Sequence, residues 1–316
     1  MFTEQQNFAI VQTELDEVFF QVFKYDATSP GIATANTAAI FKPKDTTHAA
    51  YIGEVNNDVG LWSIIGETQP VPLSTPSVRN KYTIYIKDFA KGIEISKDLF
   101  DDNMHGVWSE DVRKFALKAR ITQDSHAFGV YRNAFTTTLT ADGVAFISAS
   151  HALIGGGTTS NLLTAADIGT VTSALSSTAL NVGITRLREQ VDQSNTILGG
   201  VPSILLVPSK LFKLATEITE SALVSDSGNN ALNVYRSAYG ITVYSSPYLG
   251  AAAGGSDTAW FLMTPDHSVT RIVRQGIQTA LRDWSQSLNR TYLYQGNFRE
   301  EVYVPDYAGA VGATGL

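Results

Sequence analysis

Residues 81–102 read Lys81-Tyr82-Thr83-Ile84-Tyr85-Ile86-Lys87-Asp88-Phe89-Ala90-Lys91-Gly92-Ile93-Glu94-Ile95-Ser96-Lys97-Asp98-Leu99-Phe100-Asp101-Asp102. The first seven alternate with period two. Tyr82, Ile84 and Ile86 share one face, and Lys81, Thr83, Tyr85 and Lys87 share the other, the pattern of a half-buried strand. Glu94 to Phe100 reads as a strand end running into a short helical turn. Beyond it, Met104, Trp108, Val112, Phe115, Ala119, Thr122, His126 and Val130 recur at three-to-four spacing. This predicts one helix from about Met104 to Phe135, roughly 48 Å long at 1.5 Å per residue and about threefold the average length. Its stripe is too mixed for a strict heptad, so the spacing predicts the spine of a large domain rather than a coiled coil.

Upstream, the strand has a partner. Ala49-Ala50-Tyr51-Ile52 leads into the polar cluster Gly53-Glu54-Val55-Asn56-Asn57-Asp58, then Leu61-Trp62-Ser63-Ile64-Ile65, then a stretch broken by Pro70, Pro72 and Pro76. Prolines cannot donate to a strand ladder, so the middle is a loop or an edge. Residues 48–96 therefore predict a long β-hairpin projecting from the body. Its apolar tip is costly on a monomer, and an oligomeric partner would remove that cost. Near the N-terminus, Phe8, Val11, Leu15, Val18, Phe19, Val22 and Phe23 make a helical stripe from about Thr3 to Phe23, with Thr3 and Gln6 at capping-box spacing. Two readings of this helix stay open: packing on its own domain, or an arm lying on a neighbouring subunit. Ser29-Pro30-Gly31 then breaks the chain.

Downstream of Phe135, Thr, Ser, Gly and Ala dominate to about Ser177. A helix is expected from Asn181 to Val191, a buried strand at Ser203 to Val207, and a second helix after Pro208-Ser209. Further strands are expected at Ile241 to Tyr244 and Ala259 to Met263, and a terminal strand pair at Thr291 to Gln295 and Glu301 to Val304. A small-residue tail, Ala308 to Leu316, closes the chain. This alternation of helix and strand predicts a compact α/β-type domain.

The 316 residues predict about two domains. With 44 % hydrophobic and 17 % charged residues, the chain has the composition of a folded protein. It contains no cysteine, which excludes disulfides, thiolate metal sites and cysteine nucleophiles. Its 23 basic and 30 acidic residues give a net charge of −7, opposite to that of a dedicated nucleic-acid reader. The N-terminus has no basic region followed by an apolar run, so no signal peptide is expected. No run of about 18 uninterrupted apolar residues exists, so no transmembrane helix is expected.

A search for chemistry finds little. The five histidines (His48, His105, His126, His151 and His267) include no pair at i, i+4 around a glutamate. No G-x-S-x-G elbow is present. Gly155-Gly156-Gly157 lacks the Gly-Lys-Ser/Thr that a phosphate loop requires. Asp101-Asp102 and Glu300-Glu301 are adjacent pairs, read as solvated charge because neighbours in a strand point to opposite faces. Residues 271–299 hold five arginines (Arg271, Arg274, Arg282, Arg290 and Arg299) against Asp283. These suit either internal salt bridges or an acidic partner. No catalytic, cofactor-binding or metal-ligating residue is assigned.

The order of elements resembles one family: an arm helix, a projecting hairpin, a short turn, a spine helix, then a mixed domain with terminal strands. Lys91 to Asp102 is similar to that family's hairpin-to-spine junction. Ala119-Arg120-Ile121-Thr122-Gln123-Asp124 falls where its spine helices carry an acidic residue. Ser150-His151-Ala152-Leu153-Ile154-Gly155, Thr159-Ser160-Asn161-Leu162, Leu206-Val207-Pro208 and Val243-Tyr244-Ser245-Ser246-Pro247-Tyr248-Leu249 are similar to Mu-like major head subunits. The family is the major capsid protein of tailed bacteriophages, with the Hong Kong 97-type fold that encapsulins share. The resemblance covers nearly the whole chain.

The resemblance implies an α+β fold with four parts. These are an N-terminal arm and lead-in (1–47), an extended loop (48–91), a peripheral domain (92–135 and 284–316) and an axial domain (136–283). It implies a self-assembling icosahedral shell, without cofactor or membrane, that encloses double-stranded DNA in the virion and assembles in the host cytoplasm. It further implies a separate scaffolding protein, because no scaffold-like segment precedes the arm, together with a portal and decoration proteins. Phe8, Phe19, Trp62, Tyr82 and Tyr85 are the candidate inter-subunit anchors, as aromatic residues dominate such contacts. The alternatives are an encapsulin-like compartment holding a cargo enzyme and, from another class, a soluble α/β hydrolase.

Overall fold

In a computed structural model, two β-sheets share one long helix. The structure describes residues 4–24, 37–56, 61–73, 75, 78–98, 105–154, 156–221, 233–286 and 289–316. Thr3, Ser29-Pro30-Gly31, Asn57-Asp58, Pro76, Leu99 to Asp102, Met104 and Gly155 lie outside the described residues.

Helix α1 (Glu4–Lys24) occupies the predicted span, and a single turn, α2 (Thr37–Ile40), leads into β1 (Lys42–Asp45). Strands β2 (Ala50–Asn56) and β3 (Val78–Tyr85) form the hairpin, and β4 (Lys87–Ser96) follows directly. Helix α3 (His105–Arg132) has 28 residues, about 42 Å of axis. It stops short of Phe135 because the Asn133 carbonyl accepts the N–H groups of Thr136, Thr137 and Thr138 in a tight turn. The small strands β5 (His151–Ala152), β6 (Thr158–Thr159) and β7 (Leu162–Leu163) come next. After α4 (Ala165–Ile168), α5 (Ser177–Arg188) begins earlier than expected, since the Ser176 side chain caps it by accepting from Ala179 N–H. The chain then runs through β8 (Ile204–Pro208), α6 (Phe212–Glu220), β9 (Thr242–Ser246) and β10 (Trp260–Met263). It ends with β11 (Thr270–Arg282), β12 (Thr291–Tyr303) and β13 (Ala310–Ala313).

One sheet has the order β1-β11-β12-β4, antiparallel except for the β1–β11 pair. The other has the order β7-β13-β10-β8-β9. Its central strands are apolar on both faces, as a sheet covered on both sides demands. In β8, Ile204 and Leu206 pack toward α3, while Leu205 and Val207 pack toward α5 with Leu180, Ile184 and Leu187. Helix α3 serves both sheets. Its first half (Val112, Phe115, Ala116) packs with α1 on Leu281, Tyr292 and Tyr294 of the four-stranded sheet. Its second half (Ala127, Phe128, Tyr131) packs on Phe41, Phe261 and Met263.

Three expectations are corrected. The terminal strand pair is one 13-residue strand, β12, antiparallel to both β11 and β4. Gly296 does not break it, because it pairs with Thr279 of β11 on one side and Lys91 of β4 on the other. The small-residue tail is a strand in the interior of the five-stranded sheet, next to β10, and not a companion of β12. The space there is tight: a Cβ at Gly312 would sit 3.1 Å from the Ile147 and Phe261 side chains. Conversely β11, within the expected axial segment 136–283, belongs to the four-stranded sheet.

Candidate subunit interface

The hairpin is rooted by three contacts. Tyr82 packs on Tyr303 in a tilted arrangement at 4.9 Å and reaches Tyr51 at 6.3 Å between ring centroids. Burial, then the neighbouring tyrosines, push the Tyr82 phenol up to about 12. The ring lies over Gly53, where a Cβ would fall 2.1 Å from it, so position 53 admits no side chain while Tyr82 stays in place. Arg79 Nη2 donates to the Ala152 carbonyl at 2.8 Å, and Lys44 Nζ meets the Tyr51 hydroxyl. Along β3 the predicted alternation holds, with Ile84 buried, Tyr82 half-buried and Lys81, Thr83 and Tyr85 exposed.

Beyond this root the loop touches little of its own chain. Trp62 is 99 % exposed, Ile64 102 % and Leu73 92 %, with Leu61 and Val71 also largely open. So many adjacent exposed apolar side chains mark a surface built for a partner.

The predicted anchors divide accordingly. Trp62 and Tyr85 are exposed. Tyr82 faces its own chain at the hairpin root. Phe19 is corrected: it is fully buried in its own subunit, against Phe115 and Tyr294. The reason is a polar clamp beside it. The Asp16 carboxylate accepts from Thr279 Oγ1 at 2.6 Å and from the Tyr294 hydroxyl at 2.7 Å, fixing α1 onto the sheet. The Phe8 side chain lies outside what the structure describes.

A second correction concerns charge. Glu300 is 2 % exposed, and its Oε2 accepts from Arg271 Nε at 3.0 Å. Burial raises its pKa against the pull of Arg271. Glu301 is half-buried. Its Oε1 lies 3.1 Å from His126 Nε2, and its Oε2 lies 3.0 Å from Lys87. Burial raises its pKa, but His126 and Lys87 outweigh it and hold the group below its ordinary range. Asp124 on α3 is also buried, and burial lifts it to about 6 despite Arg120 and Arg271. These acids are therefore packed groups rather than solvated ones. Of the five arginines in residues 271–299, Arg271, Arg290 and Arg299 pair with Glu300, Asp98 and Asp88 of the same chain.

One arrangement has the outline of a catalytic dyad. His151 Nδ1 lies 2.7 Å from Asp142 Oδ2, and the imidazole stacks on Tyr307 at 4.3 Å. The histidine is wholly buried, and its Nε2 meets no hydroxyl. Among the described residues no nucleophile lies beside it, and the pair is packed under Tyr307. Among the described residues no group of three metal-ligating side chains is found, and no helix is long and apolar enough to cross a membrane.

Residues 81–312 match the family model of phage capsid proteins. The chain belongs to the phage capsid protein family. No curated protein matches it by sequence. The fold of this capsid protein is similar to the capsid of a native GTA particle (TM-score 0.56, 15 % identity, covering 90 % of this chain and 93 % of that one). It is also similar to the mature capsid of bacteriophage PhiM1 (TM-score 0.56, 12 % identity, 91 % and 87 %). A third likeness is to a virus-like particle from Pyrococcus furiosus (TM-score 0.53, 8 % identity, 95 % and 98 %). The capsid protein thus has the Hong Kong 97-type fold. Its role is that of a major capsid protein, a self-assembling component of the virion shell, and the family match favours this over the compartment reading.

Proposed function

We propose that the shell built by this chain encloses double-stranded DNA and assembles in the host cytoplasm with a separate scaffolding protein, a portal and decoration proteins. The work of the chain is structural, with no cofactor. The observation that supports this reading is the run from Leu61 to Leu73, whose Leu61, Trp62, Ile64, Val71 and Leu73 side chains are largely uncovered by the described residues of their own subunit. Trp62 and Tyr85 are the anchors that bury on neighbouring copies, in obligate contacts that resemble divided cores. Residues 1–47 serve as arm and lead-in and 48–91 as the extended loop. Residues 92–135 with 284–316 serve as the peripheral part, and 136–283 as the axial part. β11 and β13 are exchanged across that last division, as their sheets require.

Negative-stain electron microscopy of the full chain, alone and with its scaffolding protein, tests the reading. Closed shells, sheets or tubes are expected. A monodisperse species at the subunit mass of 34.2 kDa under both conditions overturns it.

A further inference from the structure

Residues 39–41 return the chain to its own core. Ile40 is wholly buried and Phe41 nearly so, with the Phe41 ring 5.3 Å from Phe128 and 5.7 Å from Tyr131 between centroids. The single turn α2 is too short to satisfy the carbonyls at its end, and side chains from far along the chain meet two of them. The Tyr131 hydroxyl donates to the Ile40 carbonyl at 3.2 Å, and His267 Nε2 lies 2.9 Å from the Ala39 carbonyl. A carbonyl only accepts, so Nε2 carries the hydrogen, and in the neutral ring Nδ1 is a bare lone pair. His267 is wholly buried, and its Nδ1 meets no hydrogen-bond partner among the described residues.

The backbone around this ring has little room to move. His267 closes a turn between β10 of the five-stranded sheet and β11 of the four-stranded one, its N–H donating to the Thr264 carbonyl. Gly309, at φ +80°, lies so close that a Cβ there would be 3.0 Å from the His267 Cα. Three charged groups flank the site: Lys42 on β1, Asp266 on the turn, and Asp306, whose carbonyl accepts from Ser268 Oγ. None of them takes a hydrogen bond from Nδ1. Tyr131, which pins the neighbouring carbonyl from α3, stays neutral because burial raises its pKa. Burial holds the imidazole below its ordinary pKa with help from Lys42, against the pull of the Ala39 carbonyl and Asp266. The neutral ring is the form that the docked lead-in accommodates.

We propose that His267 is a proton-operated latch on the N-terminal lead-in: the neutral ring keeps residues 39–41 in the core, and a second proton, on Nδ1, drives the ring and these residues out together. That proton puts a charge into a buried site, beside Lys42, with no acceptor for the new N–H. The latch is closed above the ordinary histidine pKa of about 6.5 and opens as pH falls through the lower value of the docked ring. β1 follows directly and pairs only with β11, so release of the lead-in bares an edge of the four-stranded sheet. Helix α1 keeps its own clamp at Asp16, so the two attachments of the N-terminal segment are separable. The latch belongs to the subunit and does not depend on the shell reading.

Amide hydrogen exchange of residues 37–45 in the full, unassembled chain tests this, read by mass spectrometry from pH 7.5 to pH 4.5 and divided by the unstructured rate at each pH. A local readout is needed because protonation of Asp124 acts on global stability in the opposite sense. His267→Gln keeps an N–H donor for the Ala39 carbonyl and takes up no proton. Wild type is expected to lose protection in this segment on acidification, by about tenfold for each pKa unit separating the docked from the released ring. His267→Gln is expected to keep it over the whole range. Wild-type protection that does not change with pH, that falls equally in His267→Gln, or that falls throughout the chain at once overturns the latch. Carbon-13 shifts of the histidine rings in wild type give a second reading, should the variant fold poorly. One ring is expected to keep the Nε2–H form until the segment opens. Five rings that all titrate near about 6.5 while the segment stays protected overturn the latch.

Discussion

Asp124 shows how burial turns an ordinary residue into a constraint. It faces Arg120, Arg271 and Glu300 from inside the protein, with one carboxylate oxygen unpartnered. Its folded-state pKa of about 6 lies above the ordinary carboxylate value. The protonated acid is therefore the form the fold tolerates. Its contribution is fully present below about pH 4 and is lost as pH rises through about 6. A shift of this size corresponds to roughly 2–3 kcal/mol. Asp124→Asn removes the ionisation, so the variant should be more stable than wild type at pH 8 by up to about 2 kcal/mol. It should also lose much of the pH dependence between 4 and 6. Urea unfolding of the purified chain at pH 4.5, 6 and 8 checks this, and an unchanged slope with pH would refute it. The sequence shows Asp124 and Glu300 only as charged letters, one in a helical pattern and one beside another acid. Burial depends on what crosses above them, which local spacing does not report.

Helix α1 carries the lesson at the scale of the element. Its period marks a stripe, but a stripe does not say which surface covers it. Asp16 settles the question by accepting from Thr279 and Tyr294, groups more than 260 residues away in sequence. Phe19 then fills a site among Phe20, Phe23, Phe115 and Tyr294. Phe19→Ala should lower the stability of the isolated subunit by about 3–5 kcal/mol, the range for deleting a buried aromatic ring. Urea unfolding of unassembled protein measures this directly. A loss below about 1 kcal/mol would place Phe19 outside the subunit core. β12 repeats the lesson in another form. Thr291 to Gln295 and Glu301 to Val304 read as two separate strands, yet the ladder to β4 and β11 runs through Gly296 and joins them into one.

For the whole molecule, the loop is divided between two tasks. Its root, Tyr82 on Tyr303 and Arg79 on Ala152, belongs to the subunit. Its outer run, exposed on the subunit, is the part proposed to bury on neighbouring copies. Replacing Trp62, Ile64 and Leu73 together by Ser should leave the urea midpoint of the free chain within about 0.5 kcal/mol of wild type, as for exposed positions generally. The same variant should yield no shells by electron microscopy, and shells at wild-type yield would remove these residues from the interface. The sequence by itself determined the hairpin, the spine helix, the buried strands β8 and β10, and the absence of thiol chemistry. Each of these depends on composition or on a period that neighbouring residues carry. Only the tertiary structure decided that α1 folds back on its own subunit, that β11 and β13 exchange sheets, that Asp124 and Glu300 are buried, and that His267 meets the lead-in at Ala39. Each of these is a contact between residues far apart in the chain, set by which surfaces meet once the backbone has closed.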